Sequence, residues 1–246
     1  MKIDICDKSY NLDEIDIKVD NLLSTLIAIK ETINHSLAFR SGCRSGVCGS
    51  CAVTVNGIEK LACKTTITNN DVVQPLKNSE VLKDLIVDTS NQNRFLFEAK
   101  AFLKEKSDEA ITKDDEKKID IDSNCILCNS CFSSCPVYEV NPDFLGPFAL
   151  TRVHRYVNDK KESNIKDKID AIQTNGVWSC TLCGNCNMVC PQQIDIKNDI
   201  MQLRNRSAQA GYSDPNMANF NSMDFGGGAD FINQDATSYG FNPNGF

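Results

Sequence analysis

Apolar residues recur at every second position at the start of the chain. Lys2–Ile5 and Glu14–Val19 each alternate in this way, which predicts two strands of a hairpin. The period then lengthens. Leu22, Leu26, Ile29 and Ile33 recur at helical spacing, so Leu22–Ile33 is predicted as an amphipathic helix. The next stretch, SGCRSGVCGSC (Ser41–Cys51), has no apolar period and is rich in glycine. Alternation returns in AVTVNGIEKLAC on both sides of Asn56-Gly57, a pair that closes two-residue hairpins because both residues accept positive φ. Val72–Leu76 predicts a last strand, ending near Pro75.

Beyond this β-rich part, Phe95–Leu103 predicts a helix leading out. Lys104–Asn124 is dense in Lys, Asp and Glu and reads as a solvated connector or helix surface. From Cys125 to Arg206 the pattern is helical, most clearly in FALTRVHRYVND and IKDKIDAIQ. Gly211–Phe246 contains no Lys, Arg or Cys and is rich in Asn, Gly, Ser and Phe. It reads as a disordered tail, or as an arm whose phenylalanines dock on a partner. The predicted organisation is therefore a first domain over residues 1–95, a connector over 96–124, a helical domain over 125–206 and a tail over 207–246.

Charge and composition narrow the function. Thirty-three acidic residues against 26 basic give a net charge of −7, the wrong sign for a nucleic-acid binder. No apolar run approaches the ~18 residues of a membrane span. The N-terminus lacks the apolar core of a signal peptide, so the expected compartment is the cytosol.

The thirteen cysteines change the picture most. Twelve fall into three groups of four, and only Cys6 stands apart, on a predicted strand where it is expected to be buried and inert. Tight groups with two residues between members suit a metal better than disulfides. Cys43-x4-Cys48-x2-Cys51 with Cys63 after a hairpin is the plant-type spacing for a [2Fe–2S] cluster, and Gly42, Gly46 and Gly49 let the loop wrap the irons. CILCNSCFSSCP (Cys125–Pro136) and CTLCGNCNMVCP (Cys180–Pro191) share the run Cys-x2-Cys-x2-Cys-x3-Cys-Pro. In two-cluster ferredoxins the fourth cysteine of each run serves the other cluster. The expected sets are Cys125, Cys128, Cys131 and Cys190 for one [4Fe–4S] cluster, and Cys135, Cys180, Cys183 and Cys186 for a second. A three-iron centre in the last set, with Cys183 turned away, is the alternative there. Zinc is the alternative for each site.

No G-x-G-x-x-G after a strand and no Walker loop is present, so no flavin or nucleotide site is expected on this chain. Three redox centres without a donor or acceptor of their own make a relay between partners. His35 and His154 sit in amphipathic helical contexts and are expected to pack or to face solvent. Trp178, two residues before Cys180, is expected to shield a cluster from water.

The order hairpin, helix, hairpin resembles a β-grasp ferredoxin, so the fold class is α+β, a β-grasp plant-type ferredoxin domain followed by an all-α two-cluster ferredoxin domain. Over about residues 1–205 the chain resembles the iron–sulfur subunits of succinate dehydrogenase and fumarate reductase. The likeness rests on FRSGCRSGVCGSCAVTVNG…LAC, PLKNSEVLKDLIVD and CILCNSCFSSCPVY…NPDFLGPFAL…HRY. It implies an FAD-bearing partner that interconverts succinate and fumarate, with electrons passing on to a membrane subunit and quinone. It also implies a peripheral place on the cytoplasmic face of the cell membrane, unless a signal-bearing partner carries the chain across. Three positions depart from the family's quinone-binding members: Cys183 replaces a non-cysteine, Tyr138-Glu139-Val140 stands where tryptophan is usual, and Thr181 replaces histidine. These departures resemble the variant that pairs with a cysteine-rich, heterodisulfide-reductase-like subunit. Iron–sulfur subunits of glycolate or glycerol-3-phosphate dehydrogenases are the competing reading, but they generally lack the plant-type domain.

Overall fold

The computed structural model describes residues 1–14 and 21–215. The first layer is a five-stranded sheet built from β1 (Lys2–Ile5), β2 (Lys8–Asn11), β3 (Ala52–Val55), β4 (Ile58–Leu61) and β5 (Asp71–Gln74). Its order is β2-β1-β5-β3-β4. β1 runs parallel to β5, with Ile3 opposite Asp71 and Ile5 opposite Val73, and the other pairs are antiparallel. The expected Asn56-Gly57 turn is present, with φ of 52° and 81°.

The first hairpin closes earlier than expected. Cys6 and Asp7 adopt φ of 45° and 66°, the same left-handed pairing without a glycine, so β2 begins at Lys8. Cys6 is thus in a turn and half-buried, not on a strand. Glu14 ends a short 3-10 turn, and the rest of the strand expected at Glu14–Val19 lies outside the described residues. A further small hairpin, β6 (Val81–Lys83) with β7 (Ile86–Val87), was not foreseen.

Helix α1 (Leu22–Thr32) starts where Asn21 accepts the Ser24 amide at 3.0 Å, an N-cap that satisfies one free N–H. It buries Leu22, Leu23, Leu26 and Ile29 with Ile3, Ile5, Val53, Val55 and Val73 of the sheet. Ile33, expected on that face, caps the helix and is 39% exposed.

The exit helix α2 (Ser90–Glu98) begins five residues before the expected Phe95. Phe95, Ala99 and Ala101 are buried in the second core, so the chain changes layers within this helix. The charged connector holds two short helices, α3 (Lys113–Lys117) and α4 (Asp120–Ser123). It is not wholly solvated, because Asp122 is buried.

The second layer comprises α5 (Ser130–Ser133), α6 (Pro147–Val157), α7 (Ile165–Ala171), α8 (Asn185–Met188) and α9 (Ile196–Gln209). Its core joins Phe132, Phe148, Val153, Ile169, Ile200 and Leu203. Phe132 and Tyr138 pack with ring centroids 4.2 Å apart. α9 runs through Arg206, Ser207 is buried, and the Tyr212 hydroxyl donates to Asp170 at 2.7 Å. Met1–Tyr212 form one compact unit. From residue 216 on, the predicted tail lies outside the described residues. Among the described residues no helix is long and apolar enough to cross a membrane.

The two layers are fastened at Lys77-Asn78. The Asn78 amide donates to the carbonyls of Phe132, Ser133 and Cys135 at 2.9, 3.1 and 3.2 Å. The Lys77 amide donates to the Ser133 hydroxyl, which donates to buried Glu59 at 2.7 Å. Gln92 adds bonds to Leu127 O and Asn129. These bonds tie the sheet directly to the first cysteine run.

Candidate functional site

None of the thirteen cysteines is in a disulfide. In the loop between α1 and β3, the amides of Ser45, Val47 and Cys48 point at Cys43 Sγ at 3.3–3.4 Å, and the Cys43 amide points at Cys48 Sγ at 3.3 Å. The Ser45 hydroxyl, with the Ser45 and Val47 amides, pulls the Cys43 thiol down to about 5. Cys51 and Cys63 approach from the two strands of the hairpin, both buried. Burial pushes Cys51 up to about 11, and the Cys63 and Cys48 thiols beside it push the same way. Glycine is required here for space: a Cβ on Gly42 would stand 2.9 Å from Cys48 Sγ.

The two later runs fold alike. In the first, Leu127 and Asn129 take φ of 52° and 63° before α5. In the second, Leu182 and Gly184 take 55° and 85° at the same two places before α8. This backbone turns the Leu182 amide onto Cys180 Sγ at 3.3 Å, and the Leu127 amide onto Cys125 in the same way.

The runs also exchange their last cysteines. Burial raises the Cys125, Cys128 and Cys131 thiols, and in each the Cys190 thiol adds to the rise. Burial pushes Cys135 up to about 11, with Cys180 and Cys183 adding. Cys186 is pushed up to about 12 by burial, with Cys180, Cys135 and Cys183 adding. Cys190 therefore lies with the first run and Cys135 with the second. Cys183 lies close enough to Cys135, Cys180 and Cys186 to act on their thiols, and it is exposed.

The donor chemistry fits iron–sulfur clusters. Thiols packed together resist ionising one another, and bound metal cations relieve that repulsion. Amides aimed at sulfur are the usual outer support of such ligands. Arg152 is an orphan: its Nε is buried without a hydrogen-bond partner, and its charge favours the Cys125 thiolate.

Several residues at these sites carried no signal in the sequence. Arg204 donates to the carbonyls that lead into the second run. Asp122, His154 and Asp199 form a buried cluster behind the first run, with His154 Nδ1 2.7 Å from Asp122 and 3.4 Å from Asp199. His154 is thus a packed polar residue, whereas His35 is exposed beside the Lys30 carbonyl. Trp178 is half-buried and donates its indole N–H to Gln173 at 2.8 Å.

Comparison with known proteins agrees with this geometry. A family model described as "2Fe-2S iron-sulfur cluster binding domain" matches residues 5–94, and one described as "4Fe-4S dicluster domain" matches residues 122–194. The chain is 35% identical over 199 residues to the fumarate reductase iron–sulfur subunit of Escherichia coli O157:H7, covering 77% of this chain and 82% of that one. It is 37% identical over 196 residues to the same subunit of Mycobacterium tuberculosis, covering 74% and 79%. A chain of the Mycobacterium smegmatis Sdh1 complex in the apo form shares the fold, with a TM-score of 0.74 at 23% identity over 86% of this chain and 97% of that one. Two family models in this order and identity above a third over most of the length lead to one conclusion: the chain belongs to the iron–sulfur subunits of fumarate reductase and succinate dehydrogenase.

Proposed function

We propose that the chain relays single electrons between an FAD subunit acting on succinate or fumarate and a quinone-linked subunit. The first domain is read as a plant-type β-grasp ferredoxin in which Cys43, Cys48, Cys51 and Cys63 hold [2Fe–2S]. In the helical domain Cys125, Cys128, Cys131 and Cys190 hold one [4Fe–4S] cluster, and Cys135, Cys180, Cys183 and Cys186 hold a second. When bound, such clusters accept and pass on one electron at a time. The crossing of Cys190 and Cys135 carries this reading, because two independent sites would each keep their own fourth cysteine.

The exposure pattern supports a relay with two open ends. Cys43 and Cys48 are exposed, and Val47 beside them is 66% exposed. At the other end Cys183 is exposed. The middle set has no exposed member. An apolar side chain left in water beside the first end suits a docking surface. The first end is assigned to the FAD subunit. The second is assigned to a membrane or cysteine-rich subunit at the cytoplasmic face, since Cys183, Thr181 and Tyr138 all depart there from the quinone-binding pattern.

The test is anaerobic purification with and without the FAD partner, followed by succinate oxidation with an artificial dye. The complex is expected to be active and this chain alone inactive. Activity of the chain alone overturns the reading.

A further inference from the structure

Arg204 lies on α9 against the segment that presents Cys180. Its Nε donates to the Val177 carbonyl at 2.8 Å and its Nη2 to the Cys180 carbonyl at 2.6 Å. The guanidinium carbon stands 5.6 Å from the centroid of the Trp178 ring. That ring is pinned in turn, because Trp178 Nε1 donates to Gln173 and Gln173 donates to Ser207 of α9 at 2.9 Å. Among the described residues no carboxylate pairs with Arg204; its hydrogen-bond partners are backbone carbonyls. In a chain of net charge −7, this is a half-buried positive charge held in place and left unneutralised.

Carbonyl dipoles satisfy the donors of a guanidinium without cancelling its charge. One-electron reduction adds a negative charge to a cluster, and a fixed cation close by stabilises the reduced form. Partial burial weakens the screening that salt imposes on exposed charges.

We propose that Arg204 is a positioning residue that holds Val177–Cys180 in place and, by its unpaired charge, raises the reduction potential of the cluster held by Cys135, Cys180, Cys183 and Cys186. This rests on the ligand sets proposed above. It also gives those sets a balance. A fourth thiolate from Cys183 makes the last centre harder to reduce, and Arg204 offsets part of that, keeping it able to take an electron from the middle set.

The test is potentiometric titration, followed by electron paramagnetic resonance, of the anaerobic complex carrying wild type, Arg204→Lys or Arg204→Gln. Iron and sulfide are assayed on each sample. Arg204→Gln is expected to lower the midpoint of the third cluster alone at unchanged iron content, and Arg204→Lys to retain most of the wild-type value. An unchanged midpoint in Arg204→Gln, or equal drops in Gln and Lys, overturns the proposal. If Arg204→Gln loses iron, Gln173→Glu carries the measurement, since it sets a carboxylate beside Trp178 and leaves the bonds from Arg204 to the Val177 and Cys180 carbonyls intact. The same downward shift is expected there, and none overturns the proposal. Wild-type protein that lacks the two four-iron clusters refutes the ligand sets instead.

Discussion

Gly49 in the first cysteine loop lies directly against Cys128 of the first later run. A Cβ built on Gly49 would stand 2.8 Å from Cys128 Cβ and 3.1 Å from the Ile126 carbonyl, and Gly49 has φ of 71°. The loop of the sheet layer thus touches the middle cysteine set with no side chain between. On the proposed ligand sets, this closeness is the route for electron transfer between the first two centres.

Gly49→Ala is therefore expected to force the two loops apart and to strain the backbone, at a cost of about 1–2 kcal/mol for the left-handed conformation alone. Reduction of the complex by succinate, followed in single turnovers, should show the step from the first to the second cluster slowed. Wild-type transfer at full cluster content counts against the contact as the route.

Glu162 and Lys168 form an ion pair at 3.0 Å in which both side chains are 0% exposed. Lys168 also donates to the carbonyls of Lys100 and Phe102, which fixes the chain leaving α2 against α7. Removing one partner strands a buried charge, so Glu162→Gln is expected to cost about 3–5 kcal/mol. Denaturant unfolding measures it, and a loss under 1 kcal/mol contradicts the account.

Asp199 is pushed up to about 7 by burial, with Asp122 adding, and His154 is also raised, its Asp122 and Asp199 partners outweighing burial. Unfolded, Asp199 returns to the ordinary carboxylate value of about 3.9. Between these values the folded state holds a proton that the unfolded state has released, so this site loses stability as pH rises from about 4 to 7. His154 adds in the same sense, losing its contribution as pH rises through its folded value. Asp199→Asn should accordingly gain on wild type as pH rises from 5 to 7.5. Parallel stability curves for the two proteins would show that Asp199 is not held protonated.

Deletion after Tyr212 is expected to leave all three clusters in place, as no cysteine lies beyond Cys190. Deletion after Arg206 removes Ser207, which Gln173 bonds, and the Tyr212–Asp170 contact. That shorter protein should melt lower. Equal melting of the two truncations argues against a packed end to α9.

The cysteine groups were legible because metal chemistry fixes both residue type and spacing. So were α1 and the Asn56-Gly57 hairpin, where period and turn residues agree. The first hairpin was misplaced because Cys6-Asp7 adopts a turn that Asn-Gly usually signals. Asp122 was read as part of a solvated connector because composition cannot see that His154 and Asp199, more than 30 residues away, come to meet it. Leu127 and Leu182 look like core residues yet turn the two runs through left-handed backbone. Arg204 was invisible for a similar reason: its partners are carbonyls, which carry no sequence signature.

On the proposed ligand sets, the two later runs exchange their last cysteines and Cys183 completes a second four-iron centre. Electron paramagnetic resonance of the anaerobically prepared protein, wild type against Cys183→Ser, tests it most directly. A four-iron cluster needs one ligand per iron, so wild type is expected to show no oxidised three-iron signal. Cys183→Ser is expected to gain that signal in the third site alone, at a higher potential. A three-iron signal at full occupancy in the wild-type protein would contradict the account.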